Sequence, residues 1–150
     1  MLIYANRKWP KTITTHLWPY AIRTANDIYS NSPCFQLEDN ISPTQMMSGS
    51  NVSINPKHYK PFGCPVFVLK NESQQNKPHS KWDERAKVWV YLGISPHHNR
   101  NIALVLNRET GLVSPQYHVS YDDEFCTVIN DEYDSLWKIK AGFVAHNKLP

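Results

Sequence analysis

Histidine and cysteine are the residue types in this sequence best suited to metal binding or nucleophilic catalysis. They are Cys34, Cys64, Cys126, His16, His58, His79, His97, His98, His118 and His146. Their spacing lacks the closely paired ligands of zinc sites. The adjacent His97 and His98 could catch a metal ion, but histidines in a turn are more often ordinary surface residues. We therefore expect no metal site and no cofactor.

A cysteine nucleophile has equally little support. Cys64 and Cys126 both lie in apolar, strand-like stretches, where a buried and unreactive thiol is usual. Three widely spaced cysteines fit a reducing compartment better than a disulfide framework. The start of the chain lacks the pattern of a secretory signal, and no apolar run is long enough to span a bilayer. These features predict an intracellular protein, nuclear or cytoplasmic, that is not secreted and has no membrane partner.

The carboxylates Asp122, Asp123 and Glu124 form one consecutive cluster. Paired carboxylates can hold a divalent cation or divide acid and base roles between them. Three consecutive side chains at a strand end point in different directions, however, so we expect a solvated strand terminus. The sequence also lacks a Gly-rich phosphate loop, a Ser-centred elbow and a Walker pattern. The residues alone therefore indicate no active site.

Charge is distributed unevenly along the chain. Residues 57–108 carry nine Lys/Arg against three acids, whereas residues 109–136 carry seven acids and no Lys or Arg. A basic segment that contains aromatic residues suits phosphate contact and base stacking, although scattered lysines are also common for solubility alone. Within it, we expect Trp89 to fill the core and Trp82 to be exposed in a loop. The candidate nucleic-acid contacts are Lys77, Lys81, Trp82, Arg85, Lys87 and Arg100.

The elements that must position these residues change type near residue 55. Apolar residues recur at helical spacing from Leu17 to Tyr29, with Thr24 on the polar face. Pro19 fits only the first turn, so the helix is predicted to begin near Leu17 or Trp18. The stretch "SPTQMMSG" predicts a second, short helix with Ser42 as N-cap, Gln45 closing a capping box and Gly49 as a left-handed terminator.

Four strand-like segments follow, at 64–70, 87–95, 101–107 and 112–122. Gly111 can take the positive φ of a tight hairpin between the last two. The polar link at 71–81 predicts a mobile loop, and the tail at 129–150 predicts a linker that either docks or frays. The fold class is α+β: a helical segment followed by a small β-barrel.

Five stretches, in this order, resemble the end of the integrase region of copia-type retrotransposon polyproteins. They are "WPYAIRTANDIYSNSP", "SPTQMMSG", "PFGCPVFV", "KWDERAKVWVYLGIS" and "QYHVSYDDEF". The resemblance covers nearly the whole chain, and "PFGCPVFV" resembles the family's join between catalytic core and barrel. It implies a helical remnant of an RNase H-like core at 1–54, an SH3-like barrel at 58–128 and a tail at 129–150.

The family's transposition chemistry needs two Asp and one Glu that bind two metal ions. The resemblance places all three upstream of Met1, and the acids in the first 50 residues, Asp27, Glu38 and Asp39, match none of them. It therefore implies a non-catalytic segment with a DNA or RNA contact role, or an assembly role with itself or other integrase subunits, in DNA integration. The alternatives are a protein interaction module, which would use the acidic segment and a barrel groove, and a decayed element without activity.

Overall fold

The computed structural model describes residues 1–51, 53–70, 82 and 85–130, and it has a mixed α+β fold. Within these residues, three α-helices are followed by five β-strands. They are α1 (Leu2–Lys8), α2 (Trp18–Asn31), α3 (Pro43–Ser48), β1 (Pro65–Leu69), β2 (Ala86–Ile94), β3 (Ala103–Leu106), β4 (Val113–Gln116) and β5 (Val119–Tyr121). The predicted loop at 71–81 and, from residue 131, the predicted tail lie outside the described residues.

Local sequence signals account for the two predicted helices. Helix α2 begins at Trp18 with Pro19 in its first turn, as predicted. In α3 the Ser42 side chain accepts a hydrogen bond from the backbone of Gln45, whose own side chain accepts one from the backbone of Ser42. Gly49 ends this helix in the left-handed conformation, with φ 64°. The predicted capping box and terminator are therefore confirmed.

The five strands form one antiparallel sheet in the order β4-β3-β2-β1-β5. The first three predicted strands are confirmed to within two residues at each end. The fourth predicted segment, 112–122, is two strands rather than one, because the chain leaves β4 at Gln116 and re-enters the sheet at Val119. These two strands lie on opposite edges of the sheet. Gly111 takes the positive φ that the hairpin between β3 and β4 requires.

This connectivity forces the sheet to curl. Through the register of β3, Gln116 at the end of β4 is aligned with Ile94 of β2. Through the register of β1, Val119 at the start of β5 is aligned with Lys87 of β2. Measured along β2, the two levels lie seven residues apart, or about 23 Å at the usual strand rise. The three-residue step from Gln116 to Val119 spans at most about 11 Å. The two edges must therefore fold towards each other.

Strand β2 is covered on both faces. Val90, Tyr91 and Leu92 are consecutive, yet each is at most 2% exposed, and neighbouring residues of a strand point to opposite faces. The Tyr91 ring packs edge-on against Tyr121, with centroids 5.3 Å apart. N-terminal side chains belong to the same core cluster: Ala5, Trp9, Ile13, Leu17 and Ala21. The N-terminal segment and the sheet therefore share one core, and a domain division between residues 54 and 58 stays a prediction.

Helix α2 meets the sheet at Thr24, so the prediction that Thr24 lies on the polar face is wrong. Its hydroxyl donates to the carbonyl oxygens of Tyr20, at 2.9 Å, and Leu92, at 3.3 Å. Gly93, with φ 111°, makes this approach possible, because a Cβ there would lie 2.4 Å from Thr24 Oγ1. The buried stripe of α2 is rotated accordingly, and Ile22 is 59% exposed.

Candidate nucleic-acid interface

The six predicted contact residues fall into separate places. Lys77 and Lys81 lie outside the described residues. Trp82 is 93% exposed, as predicted. Arg85 lies just before β2 and Lys87 lies on it, whereas Arg100 follows the opposite end of that strand. The structure therefore brings Arg85 and Lys87 together and places Arg100 elsewhere.

Strand pairing adds a third cation to Arg85 and Lys87. The backbone amide of Lys70 donates to the carbonyl oxygen of Arg85 at 2.9 Å, and Lys87 is the cross-strand partner of Val68. Lys70, Arg85 and Lys87 therefore lie at the same end of the β1–β2 hairpin; we name them the hairpin-end cluster. The charge count included Lys70, but sequence analysis did not select it, because the register of β1 against β2 was unknown.

Arg100 makes a different set of contacts. Its guanidinium binds both carboxylate oxygens of Asp27, at 3.0 and 3.1 Å, and lies 3.4 Å from the Tyr59 hydroxyl. Burial and the neighbouring Asp27 carboxylate raise the pKa of Tyr59. This group joins helix α2 to the turn after β2. A role for Arg100 in nucleic-acid contact stays a prediction.

A cavity of about 470 Å³ opens beside the hairpin-end cluster. It is lined by Val68, Leu69, Lys70, Lys87, Trp89, Asn107 and Gln116. Two lysines, a tryptophan, an asparagine and a glutamine therefore line one space. Such a lining can donate several hydrogen bonds to an anionic or carbonyl-rich ligand.

Trp89 gives this cavity its most distinctive feature. Its ring packs against the hydrophobic core, as predicted. Its indole Nε1 is buried and has no hydrogen-bond partner in the described part of the chain. A buried donor without an acceptor costs about 1–3 kcal/mol, so an acceptor that reached this N–H would recover that energy. Sequence analysis assigned Trp89 to the core and missed this donor, because only the packed structure shows which polar atoms lack partners.

The ion pair of Lys87 is weak enough to be exchanged. Lys87 Nζ lies 2.8 and 3.0 Å from the carboxylate oxygens of Glu109, and the two side chains are 41% and 58% exposed. Exposed pairs of this kind contribute about 0–1 kcal/mol. A phosphate oxygen can therefore replace the Glu109 carboxylate at little cost.

The cysteines behave unequally. Cys64 is fully buried, as predicted, and burial, with a contribution from the Asp123 carboxylate, raises the pKa of its thiol to about 12. The prediction that Cys126 is buried is wrong: it is exposed. Strand β5 ends at Tyr121, and in the turn that follows, Phe125 takes the buried position.

Two carboxylates of the acidic stretch at the end of β5 make contacts within the fold. Asp122 Oδ2 accepts hydrogen bonds from the backbone amide and hydroxyl of Thr127, at 2.7 and 2.6 Å. Desolvation acts to raise the Asp122 pKa, but these hydrogen bonds outweigh it and hold the pKa below its usual value. Asp123 pairs with Lys60 at 2.8 Å. The stretch is a solvated strand terminus, as predicted, with Asp123 and Glu124 exposed and Asp122 half-buried. Asp122 also organises the turn that follows.

One polar pair near α2 was not predicted. Ser95 is buried, and its hydroxyl lies 2.7 Å from Nδ1 of His98, across the turn between β2 and β3. Nothing in the sequence pattern marks this contact. Elsewhere in the described ranges, no three His, Cys, Asp or Glu side chains converge as metal ligands would.

A search for helices of sufficient length and apolarity to cross a membrane finds none in the described ranges. Comparison with protein families finds no matching family model, and neither curated proteins nor solved structures give a significant match.

Proposed function

We propose that this chain is a non-catalytic, integrase-like segment that contacts nucleic acid through the hairpin-end cluster and its cavity. One observation carries the proposal: Lys70 and Lys87 line one cavity together with Trp89, whose buried indole N–H has no hydrogen-bond partner among the described residues. Phosphate oxygens accept hydrogen bonds and carry negative charge, so they complement both features.

The topology of the sheet supports the integrase-like part of the proposal. The curled five-stranded sheet, in which β5 returns to pair with β1, has the strand order expected of an SH3-like barrel. The ordered motifs that resemble copia-type integrases supply the rest of the argument. The N-terminal helices then correspond to the end of an RNase H-like core that packs on the barrel.

The acids of the N-terminal segment support the non-catalytic part of the proposal. Asp27, Glu38 and Asp39 are the acids of the first 50 residues, and the Asp27 carboxylate is already bound by Arg100. Two-metal phosphodiester chemistry needs several carboxylates directed at the same pair of ions.

We infer that the preferred ligand is single-stranded. Trp82 is almost fully exposed and lies three residues before Arg85. An exposed indole stacks on unpaired bases, whereas the bases of a duplex are already stacked on each other. In this arrangement Lys70 and Lys87 hold a phosphate, and Trp82 contacts a base of the same strand.

Fluorescence anisotropy with a labelled single strand of about 20 nucleotides tests the proposal, at salt concentrations from about 50 to 200 mM. The logarithm of the binding constant falls linearly with the logarithm of the salt concentration, and we call the magnitude of this gradient the salt slope. The variant Lys70→Ala/Lys87→Ala is expected to weaken binding at low salt and to lower the salt slope by about 1.4, because each phosphate contact contributes about 0.7. The matched control is Arg23→Ala/Lys57→Ala, which removes two exposed cations from elsewhere on the surface. Equal slopes for the variant and the control contradict the assignment, and no binding by the native chain at low salt contradicts the function.

A protein interaction module is the second candidate, and one observation favours it. Trp18, Ile22 and Tyr29 lie on one side of α2 and are 58–68% exposed, which leaves an apolar stripe on the surface. Partners captured by the full chain that persist after nuclease treatment support this role. Their loss with nuclease supports nucleic-acid contact instead.

A further inference from the structure

The N-terminal end of the chain carries basic residues that are not part of the proposed site. Residues 1–26 contain four Lys/Arg and no Asp or Glu. Arg7 and Lys8 form the last turn of α1, Lys11 follows it, and all three are exposed. We name these three residues the α1 end.

Trp9, which lies beside the α1 end in the chain, contacts the hairpin between β3 and β4. Trp9, which directly follows Lys8, is only 2% exposed. The guanidinium of Arg108 lies over the Trp9 ring, with its carbon 4.8 Å from the ring centroid, a distance suited to a cation–π contact. The side chain of the residue that follows Lys8 is therefore packed against Arg108.

In the chain, Arg108 lies between two residues that contact the cavity or the hairpin-end cluster. It directly follows Asn107, which lines that cavity and comes one residue after Leu106, the cross-strand partner of Val90. Glu109, the next residue, holds Lys87. A path of adjacent residues therefore leads from the cavity, through the β3–β4 hairpin, to the α1 end.

We propose that a nucleic-acid strand bound at the hairpin-end cluster continues across Arg108 to the α1 end, where Arg7 and Lys8 contact further phosphates. This inference rests on the proposed function and adds a second contact region to it. Phosphates recur at regular intervals along a strand, so a ligand with this chemistry can engage both groups of cations at once.

A simpler role for Arg7 and Lys8 makes a different prediction. Cations in the last turn of a helix stabilise it through its dipole. If that were their whole role, their removal would lower the melting temperature and leave the salt slope unchanged. If Arg7 and Lys8 contact phosphates, their removal is expected to lower the salt slope and to change the melting temperature little.

The test uses the full chain and the variant Arg7→Gln/Lys8→Gln, with the same labelled single strand and salt series. Two lost phosphate contacts are expected to lower the salt slope by about 1.4. The control Arg23→Gln/Lys57→Gln removes the same charge and is expected to change the slope much less. Arg7→Lys/Lys8→Arg, which keeps both charges, is expected to retain the native slope. Thermal unfolding followed by circular dichroism identifies any variant that has lost its fold.

The outcomes separate the two proposals. If the native chain binds and Arg7→Gln/Lys8→Gln has the slope of the control, the extension to the α1 end is overturned while the hairpin-end site stands. If the native chain does not bind at low salt, both proposals are overturned together. A lower slope in this variant, with the native slope kept by the charge-conserving variant, supports the extension.

Discussion

Substitution of Gly93 by alanine tests whether helix α2 and the sheet are one packed unit. The φ of 111° at Gly93 is unfavourable for any residue with a Cβ, at a cost of about 1–3 kcal/mol. The new Cβ would also lie 2.4 Å from Thr24 Oγ1. To relieve this overlap, Thr24 must rotate and give up its bonds to Tyr20 and Leu92, which contribute about 1 kcal/mol. We expect Gly93→Ala to lower the free energy of unfolding by about 2–4 kcal/mol.

A double-mutant cycle isolates the contact itself. Thr24→Ala removes the hydroxyl, so it is expected to cost about 1 kcal/mol alone and to abolish the overlap in the background of Gly93→Ala. The double variant should then be less destabilised than the sum of the single variants by about 1 kcal/mol or more. Urea unfolding of the four proteins measures this coupling. Strict additivity, or a Gly93→Ala variant as stable as the native chain, would refute the packing of α2 on β2.

Three further predictions follow from local geometry. Hydrogen bonds from Thr127 lower the pKa of Asp122, so this carboxylate stabilises the fold at pH values above its unfolded-state pKa of about 4 and loses this effect as the pH falls. Urea unfolding from pH 7 to pH 3 should show a shallower decline in the free energy of unfolding for Asp122→Asn than for the native chain. Gly49→Ala should cost about 1 kcal/mol, measured by thermal unfolding, because φ there is 64° although no atom would clash. In folded protein, a thiol reagent should modify Cys126 rapidly and Cys64 only after denaturant is added.

Local sequence signals predicted the elements well where one short stretch contains the whole cause. The capping box of α3 needs only Ser42 and Gln45, three residues apart, so the sequence alone was sufficient. The buried face of α2 was predicted wrongly because Thr24 is buried by Gly93, 69 residues later, and hydrophobic periodicity cannot represent that contact. The break between β4 and β5 was missed for a related reason, since β5 pairs with β1 rather than with its neighbour in the chain.

The candidate site shows the same division. Arg85 and Lys87 were selected from a run of basic and aromatic residues, and proximity in the chain keeps them together. Lys70 joins them only through strand register. Arg100 is separated from them because it pairs with Asp27, which is 73 residues away in the sequence. The missing partner of Trp89 is a property of the packed interior, and it has no counterpart in sequence spacing.

The most direct test of the proposed interface is the indole N–H resonance of Trp89 in a ¹H–¹⁵N NMR spectrum, assigned with Trp89→Phe. On titration with an unlabelled single strand, the account predicts a progressive shift of this resonance that saturates together with binding, and a smaller response from indoles remote from the cavity. A Trp89 resonance that stays fixed while the strand binds would contradict the central claim that the strand occupies the cavity that Lys70, Lys87 and Trp89 line.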